Sequence, residues 1–217
     1  LHCDATSDDL ALVSQIGLAL VIDLRSDAER AQYPCVRPEG FAGEVLFAPG
    51  NTQGVSSHMD AAQGVRTVAE AHQAMIELYR AMPFRPVLQH SYRLYFRRLA
   101  EQDGASLIHC LAGKDRTGLA VALLHHQLGV HQDDILEDYL LTNMAGDLER
   151  RVAAGAEAVR SNFGLDMSDA AVRTMMSVDA AFLHAAFDVI GDVDRYCEDV
   201  LGIDQHLRHK LRLRLVG

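Results

Sequence analysis

Between residues 105 and 128 the chain runs from an apolar strand through a short loop into an apolar helix, and this unit limits what can be built around it. Ala105 to His109 suits a buried strand, and Gly118 to Leu128 reads as a helix that Gly129 ends. Cys110 therefore leaves a strand, and Arg116 enters a helix. The same alternation opens the chain. Ser7-Asp8-Asp9 suits the start of a helix that carries Leu10, Val13 and Ile16 on one side and ends at Gly17, and Leu18 to Leu24 follows as a buried strand. Alternating helix and strand favours a layered α/β fold. The expectation is a small, mostly parallel central sheet flanked by many helices, with the 109–118 loop at the carboxyl end of a central strand.

The remaining elements fit one domain spanning 1–217, long enough to bury a substantial core. Ser26 to Gln32 suits a helical turn and Glu44 to Ala48 a strand. Helices are expected over 65–82, 87–101, 132–145, 146–162, 177–190, 193–201 and 204–213, the second of them with Leu88, Tyr92, Tyr95 and Leu99 on one side. Residues 51–64 are polar and small, so the stretch 51–82 either packs as a helix over the sheet or forms a lid insertion. Hydrophobic residues at 49% and charged ones at 23% are an ordinary globular balance. A net charge of -10 argues against nucleic-acid binding by the whole surface. No run reaches the roughly 20 apolar residues of a transmembrane segment, and no signal peptide opens the chain. A cytoplasmic location is expected, or secretion if a leader has been trimmed, since the first residue is leucine. The oligomeric state is unknown from sequence. Four cysteines and 11 histidines show no paired metal-ligand spacing, so neither a metal nor another cofactor is expected.

The loop itself reads His109-Cys110-Leu111-Ala112-Gly113-Lys114-Asp115-Arg116-Thr117-Gly118. A loop of this length can curl so that the backbone N–H groups of Leu111 to Thr117 converge on one centre. There they join the positive end of the helix dipole to hold a phosphate dianion. A thiol among such groups ionises readily, and Cys110 is expected to act as a thiolate beneath the phosphorus. The planar fork of Arg116 suits two equatorial phosphate oxygens, with a grip that strengthens as charge spreads in the transition state. Thr117 is placed to donate its hydroxyl to the sulfur, and His109 to orient the loop from behind. The Gly-Lys-Ser/Thr ending of a nucleotide-binding loop is absent.

His-Cys-x-Ala-Gly-Lys-Asp-Arg-Thr-Gly resembles the signature of the bacterial tyrosine/serine protein phosphatases, cysteine-dependent enzymes that often also hydrolyse phosphoinositides. Three further stretches are similar to that family: Val21-Ile22-Asp23-Leu24-Arg25-Ser26-Asp27-Ala28-Glu29, Asp138-Tyr139-Leu140-Leu141-Thr142-Asn143 and Val178 to Gly202. The resemblance implies a phosphomonoester hydrolase working through a phosphocysteine. A phosphoprotein or phosphoinositide would be the substrate and inorganic phosphate the product. Cys110 would be the nucleophile and Arg116 the phosphate clamp. Lys114 at this place is associated with phosphoinositide headgroups, which reward an extra point charge, although a loop lysine could equally be solvated or paired with an acidic neighbour. A proton donor for the leaving oxygen is also needed. The chain has no tryptophan, so the Trp-Pro-Asp loop of classical tyrosine phosphatases is excluded. Asp115, inside the loop, is the first candidate and Asp23 the second, although Asp23 could instead brace Arg116 or cap a local turn. Arg25 and Glu29 either pair with each other or contact the loop. The alternative from another class is a non-catalytic phosphoprotein or phosphoinositide binding module.

Overall fold

The computed structural model describes residues 5–49, 64–145, 148–163 and 167–217, and for 158–163 the backbone alone. Three strands form one sheet: β1 (Leu18–Asp23), β2 (Glu44–Phe47) and β3 (Ala105–His109). Their order is β2-β1-β3, and both pairings are parallel. Asp23 lies opposite Phe47 on one side and His109 on the other. All three carboxyl ends therefore lie together. The expected α/β class with a small parallel sheet is what forms. One expectation is corrected: among the described residues the strand that delivers Cys110 is an edge strand, and β1 is the central one. Leu20, Val21 and Ile22 of β1 are almost completely buried, as a parallel strand covered on both faces requires, whereas β3 keeps partial exposure.

The chain divides into two compact units. The first comprises 1–53, 86–120 and 194–217. It holds the sheet, α1 (Ser7–Ile16) and α2 (Asp27–Gln32). Thr6 caps α1 and Ser26 caps α2, each in a reciprocal capping box with the residue three further on, and Gly17 ends α1 in the left-handed conformation. The helix Pro86–Glu101, here α4, buries Leu88, Tyr92, Tyr95, Phe96 and Leu99, the face expected from its spacing. The two C-terminal helices, α10 (Val193–Asp199) and α11 (Gln205–Leu215), complete this unit, with Cys197, Leu201, Ile203 and Leu211 fully buried.

The second unit comprises 54–85 and 121–193 and is helical throughout its described part. It contains α3 (Val68–Ala81), α6 (Gln132–Leu140), α7 (Leu148–Phe163), α8 (Asp169–Met176) and α9 (Ala180–Ile190). Helix α3 buries Ala71, Met75, Leu78 and Tyr79 and packs against α8 and α9. Tyr79 and Tyr139 share a buried hydroxyl–hydroxyl hydrogen bond of 2.6 Å, and Phe182 lies against the Tyr79 ring. Of the proposed 51–82 lid, residues 51–63 lie outside the described residues, and the rest is mostly this packed helix. Helix α8 was not expected. Its eight residues carry only Ala171, Val172 and Met175 as a buried stripe, too short a pattern to read as a period, and Ser168 caps it. The helix after the loop, α5, spans Asp115–Leu128 and begins three residues before the expected Gly118.

Candidate active site

The earlier start of α5 places Asp115, Arg116 and Thr117 in its first turn. The Lys114 carbonyl accepts the first helical bond, from the Gly118 N–H at 2.9 Å. Helix geometry points the first-turn amides along the axis toward the loop, where they favour an anion. Gly113 makes the curl with φ of 68°, in the left-handed region that a side chain disfavours. Cys110, the residue after β3, is 5% exposed, and Ala112 and Gly113 form the exposed rim. From α4, the fully buried Tyr92 donates its hydroxyl to the Arg116 carbonyl at 2.9 Å and fixes the helix start.

Arg116 is held end-on by a carboxylate. Its Nη1 and Nη2 reach the two oxygens of Glu29 at 2.7 Å each, and Nη1 also donates to the Leu24 carbonyl at 3.3 Å. Glu29 is fixed in turn, because Oε2 also accepts from the Ser26 amide in the capping box of α2. Of the five N–H donors of a guanidinium these contacts use three, and the Nε/Nη2 side edge is the one left for a phosphate. Burial opposes charge on Arg116. The Glu29 hydrogen bond and the nearby Cys110, Glu29 and Asp115 outweigh it and hold the guanidinium above its ordinary value. Burial likewise opposes ionisation of Glu29, but the Arg116 hydrogen bond keeps its carboxyl below the usual range.

Asp23 and Arg25 form a second, closed pair beside the loop. Asp23 Oδ1 accepts from the Arg25 amide at 3.0 Å and from Nε at 2.9 Å, and Oδ2 accepts from Nη2 at 2.7 Å. Arg25 Nη1 donates to the Tyr33 carbonyl at 2.6 Å, and Nη2 also reaches Cys35 Sγ at 2.8 Å. Burial pushes the Asp23 carboxyl up, but Arg25 and the neighbouring His109 outweigh this and keep it low. His109 Nδ1 lies 3.0 Å from the Cys110 carbonyl, and burial is the main cause that lowers its basicity. Of the two readings of Arg25 and Glu29, mutual pairing is corrected: Arg25 pairs with Asp23, while Glu29 contacts the loop at Arg116. Asp23 does not brace Arg116. Asp23, Cys35 and His109 also bring three potential ligand atoms within 4.8 Å of one another, but the Arg25 guanidinium already supplies the positive charge there.

Asp115 and Lys114 are both buried, with Lys114 Nζ 3.3 Å from Asp115 Oδ1. Thr117 Oγ1 is buried and makes no hydrogen bond among the described residues, so the bond expected from it to the Cys110 sulfur is not formed here. A hydroxyl turns about a single bond, and this one stays in the first turn of the loop helix. The structure thus gathers Cys110, Lys114, Asp115, Arg116 and Thr117 on one loop and sets Asp23, Arg25 and His109 in an adjoining cluster. The role of Tyr92 went unread in the sequence, and Glu29 was read only as pairing with Arg25 or contacting the loop. For Glu29 the signal was present, since Ser26-x-x-Glu29 is a capping-box pattern that fixes the carboxylate in place. For Tyr92 there was none beyond its position on the buried face.

Cys110 thus lies between a parallel strand and the start of a helix whose first turn carries an arginine braced by a carboxylate. A model of the tyrosine phosphatase family matches residues 2–217, and the chain belongs to that family. Among curated proteins, the chain is 32% identical over 210 residues to "Putative tyrosine-protein phosphatase H16_A0669" of Cupriavidus necator, covering 92% of this chain and 71% of that one. It is 28% identical over 240 residues to "Triple specificity protein phosphatase PtpB" of Mycobacterium tuberculosis, covering 95% and 85%. A tyrosine-protein phosphatase of Nostoc commune is 32% identical over 142 residues, covering 64% and 44%. These relationships make the chain a protein tyrosine phosphatase. No helix among its described residues is long and apolar enough to cross a membrane.

Proposed function

We propose that the chain hydrolyses phosphomonoesters in two steps through a phosphocysteine at Cys110. The observation that carries this reading is Arg116, braced end-on by Glu29 in the first turn of α5 with its side edge left for phosphate oxygens. In the first step the Cys110 sulfur attacks phosphorus, the bond to the leaving oxygen breaks, and Asp115 gives that oxygen a proton. In the second, water attacks phosphorus, the P–S bond breaks, and the Asp115 carboxylate takes the proton from water. The amides of Leu111 to Thr117 and the Arg116 fork stabilise charge on the equatorial oxygens in both steps. Asp23 is the weaker donor. Arg25 bonds both of its oxygens, which leaves neither to carry a proton toward a substrate.

Phosphotyrosine is the primary substrate in this reading, with phosphoserine, phosphothreonine and phosphoinositides as further ones. The name of the Mycobacterium tuberculosis relative, a triple specificity phosphatase, supports a broad range. Phosphate release from a panel of phosphopeptides and phosphoinositides tests it. Release from phosphotyrosine peptides that disappears in Cys110→Ser is the expected result. Full turnover by Cys110→Ser contradicts the mechanism, and release from lipids alone contradicts the substrate order.

A further inference from the structure

A lysine that served as a second phosphate clamp would hold its ammonium in solvent, at the mouth of the loop. Lys114 does not. It is 2% exposed, among the most buried large side chains of the protein, and Nζ lies 3.3 Å from Asp115 Oδ1 in a pair whose side chains are 2% and 4% exposed. It also sits immediately before α5, where the positive end of the helix dipole opposes a cation. A buried ammonium in such a place needs an acceptor beside it, and Asp115 Oδ1 serves as one whether the acid is ionised or carries its proton on Oδ2. Adjacent residues within a helix point apart, but Lys114 precedes the first helical residue, so its side chain is able to fold back onto Asp115.

We propose that Lys114 is a positioning residue for Asp115, holding its carboxyl in place and stabilising the negative charge that appears there as the proton leaves. The inference rests on the reading that Asp115 is the proton donor. It gives Lys114 a part in leaving-group protonation and none in recognising a second phosphate of a headgroup. When the P–O bond breaks, the donated proton ends on the leaving oxygen and the electron pair of the O–H bond stays on Asp115, 3.3 Å from the ammonium. The stabilisation therefore grows along the reaction coordinate, which is the condition for a rate effect.

A double-mutant cycle tests this. Lys114→Met, Asp115→Asn and the double variant are assayed on phenyl phosphate, whose leaving group needs a proton, and on 2,4-dinitrophenyl phosphate, whose leaving group does not. Inhibition by inorganic phosphate reports the integrity of the loop. Lys114→Met is expected to slow phenyl phosphate about tenfold more than the dinitrophenyl ester. It should leave the phosphate inhibition constant within about threefold and add nothing to the loss already caused by Asp115→Asn. Lys114→Arg, which keeps the cation, is expected to recover most of the activity on phenyl phosphate. It keeps the test open if Lys114→Met does not fold, because an arginine variant with the full selective loss overturns the proposal. Equal losses on both esters, or losses that multiply in the double variant, overturn it while leaving Asp115 as donor. So does a loss confined to bisphosphorylated inositol headgroups. An Asp115→Asn variant with no leaving-group selectivity overturns the donor assignment and the proposal together.

Discussion

Two segments at the carboxyl end of the sheet use the same residue types and reach opposite ends. After β1, the stretch 23–35 folds Asp23, Arg25, Tyr33 and Cys35 onto one another until both Asp23 oxygens are occupied. After β3, the loop 110–117 lies beside a guanidinium that Glu29 grips end-on, leaving its side edge for a ligand. Each centres on an arginine bonded by a carboxylate, Asp23 for Arg25 and, for Arg116, Glu29 from the stretch 23–35 itself. The first leaves no carboxylate oxygen over, and the second leaves the Nε/Nη2 edge of a guanidinium. What separates them is the number of hydrogen-bonding positions left over, which no count of charged residues reveals.

The sharpest way to break this contrast is at Arg116. Arg116→Lys keeps the charge and removes the fork, and turnover is expected to fall by about 10²–10³-fold, measured as kcat. Asp115→Asn should follow, with a loss of about 10²-fold on alkyl and phenyl phosphates and far less on esters with good leaving groups. Glu29→Gln weakens a charge-assisted brace worth about 1.5–3 kcal/mol, so kcat/KM should fall by about tenfold, with a smaller loss of a few degrees in thermal midpoint. The closed segment predicts the reverse pattern. Asp23→Ala leaves Arg25 buried without its carboxylate and should cost about 3 kcal/mol of stability in denaturant unfolding. The folded enzyme should keep its leaving-group dependence.

The pH dependence of that stability has a definite sign. Asp23 and Glu29 both have folded values below their ordinary ones. Their contribution is complete above the unfolded carboxylate range near 4 and is lost as pH falls through it toward the folded values. Unfolding midpoints should therefore drop between about pH 5 and pH 3, and drop less in Asp23→Ala, which has already lost its share. An equal drop in both proteins contradicts the role given to Asp23.

The sequence carried the strand, loop and helix around Cys110 because each has a local signal: an apolar run, a glycine at 113, a helix-ending Gly129. It carried the α/β class and the buried face of α4 for the same reason. It did not carry the edge position of β3 among the described strands, because strand order depends on which strands are long-range neighbours and leaves little trace in local pattern. Nor did it carry the partner of Arg25. Asp23 is two residues before it and Glu29 four after, and both distances permit an ion pair. The choice was made by Arg116, 87 residues beyond Glu29, whose guanidinium claims that carboxylate. Burial of Lys114 was equally illegible, since a lysine in a glycine-containing loop ordinarily faces water.

The account turns on the covalent bond between phosphorus and the Cys110 sulfur. The direct measurement is a rapid acid quench of the enzyme during turnover of an aryl phosphate, followed by peptide mass mapping. The account predicts a phosphoryl group on the peptide that contains Cys110, formed within the first turnover and absent from Cys110→Ser. Turnover with no phosphorylated Cys110 peptide at any quench time, or a phosphoryl group carried by another side chain, would contradict it.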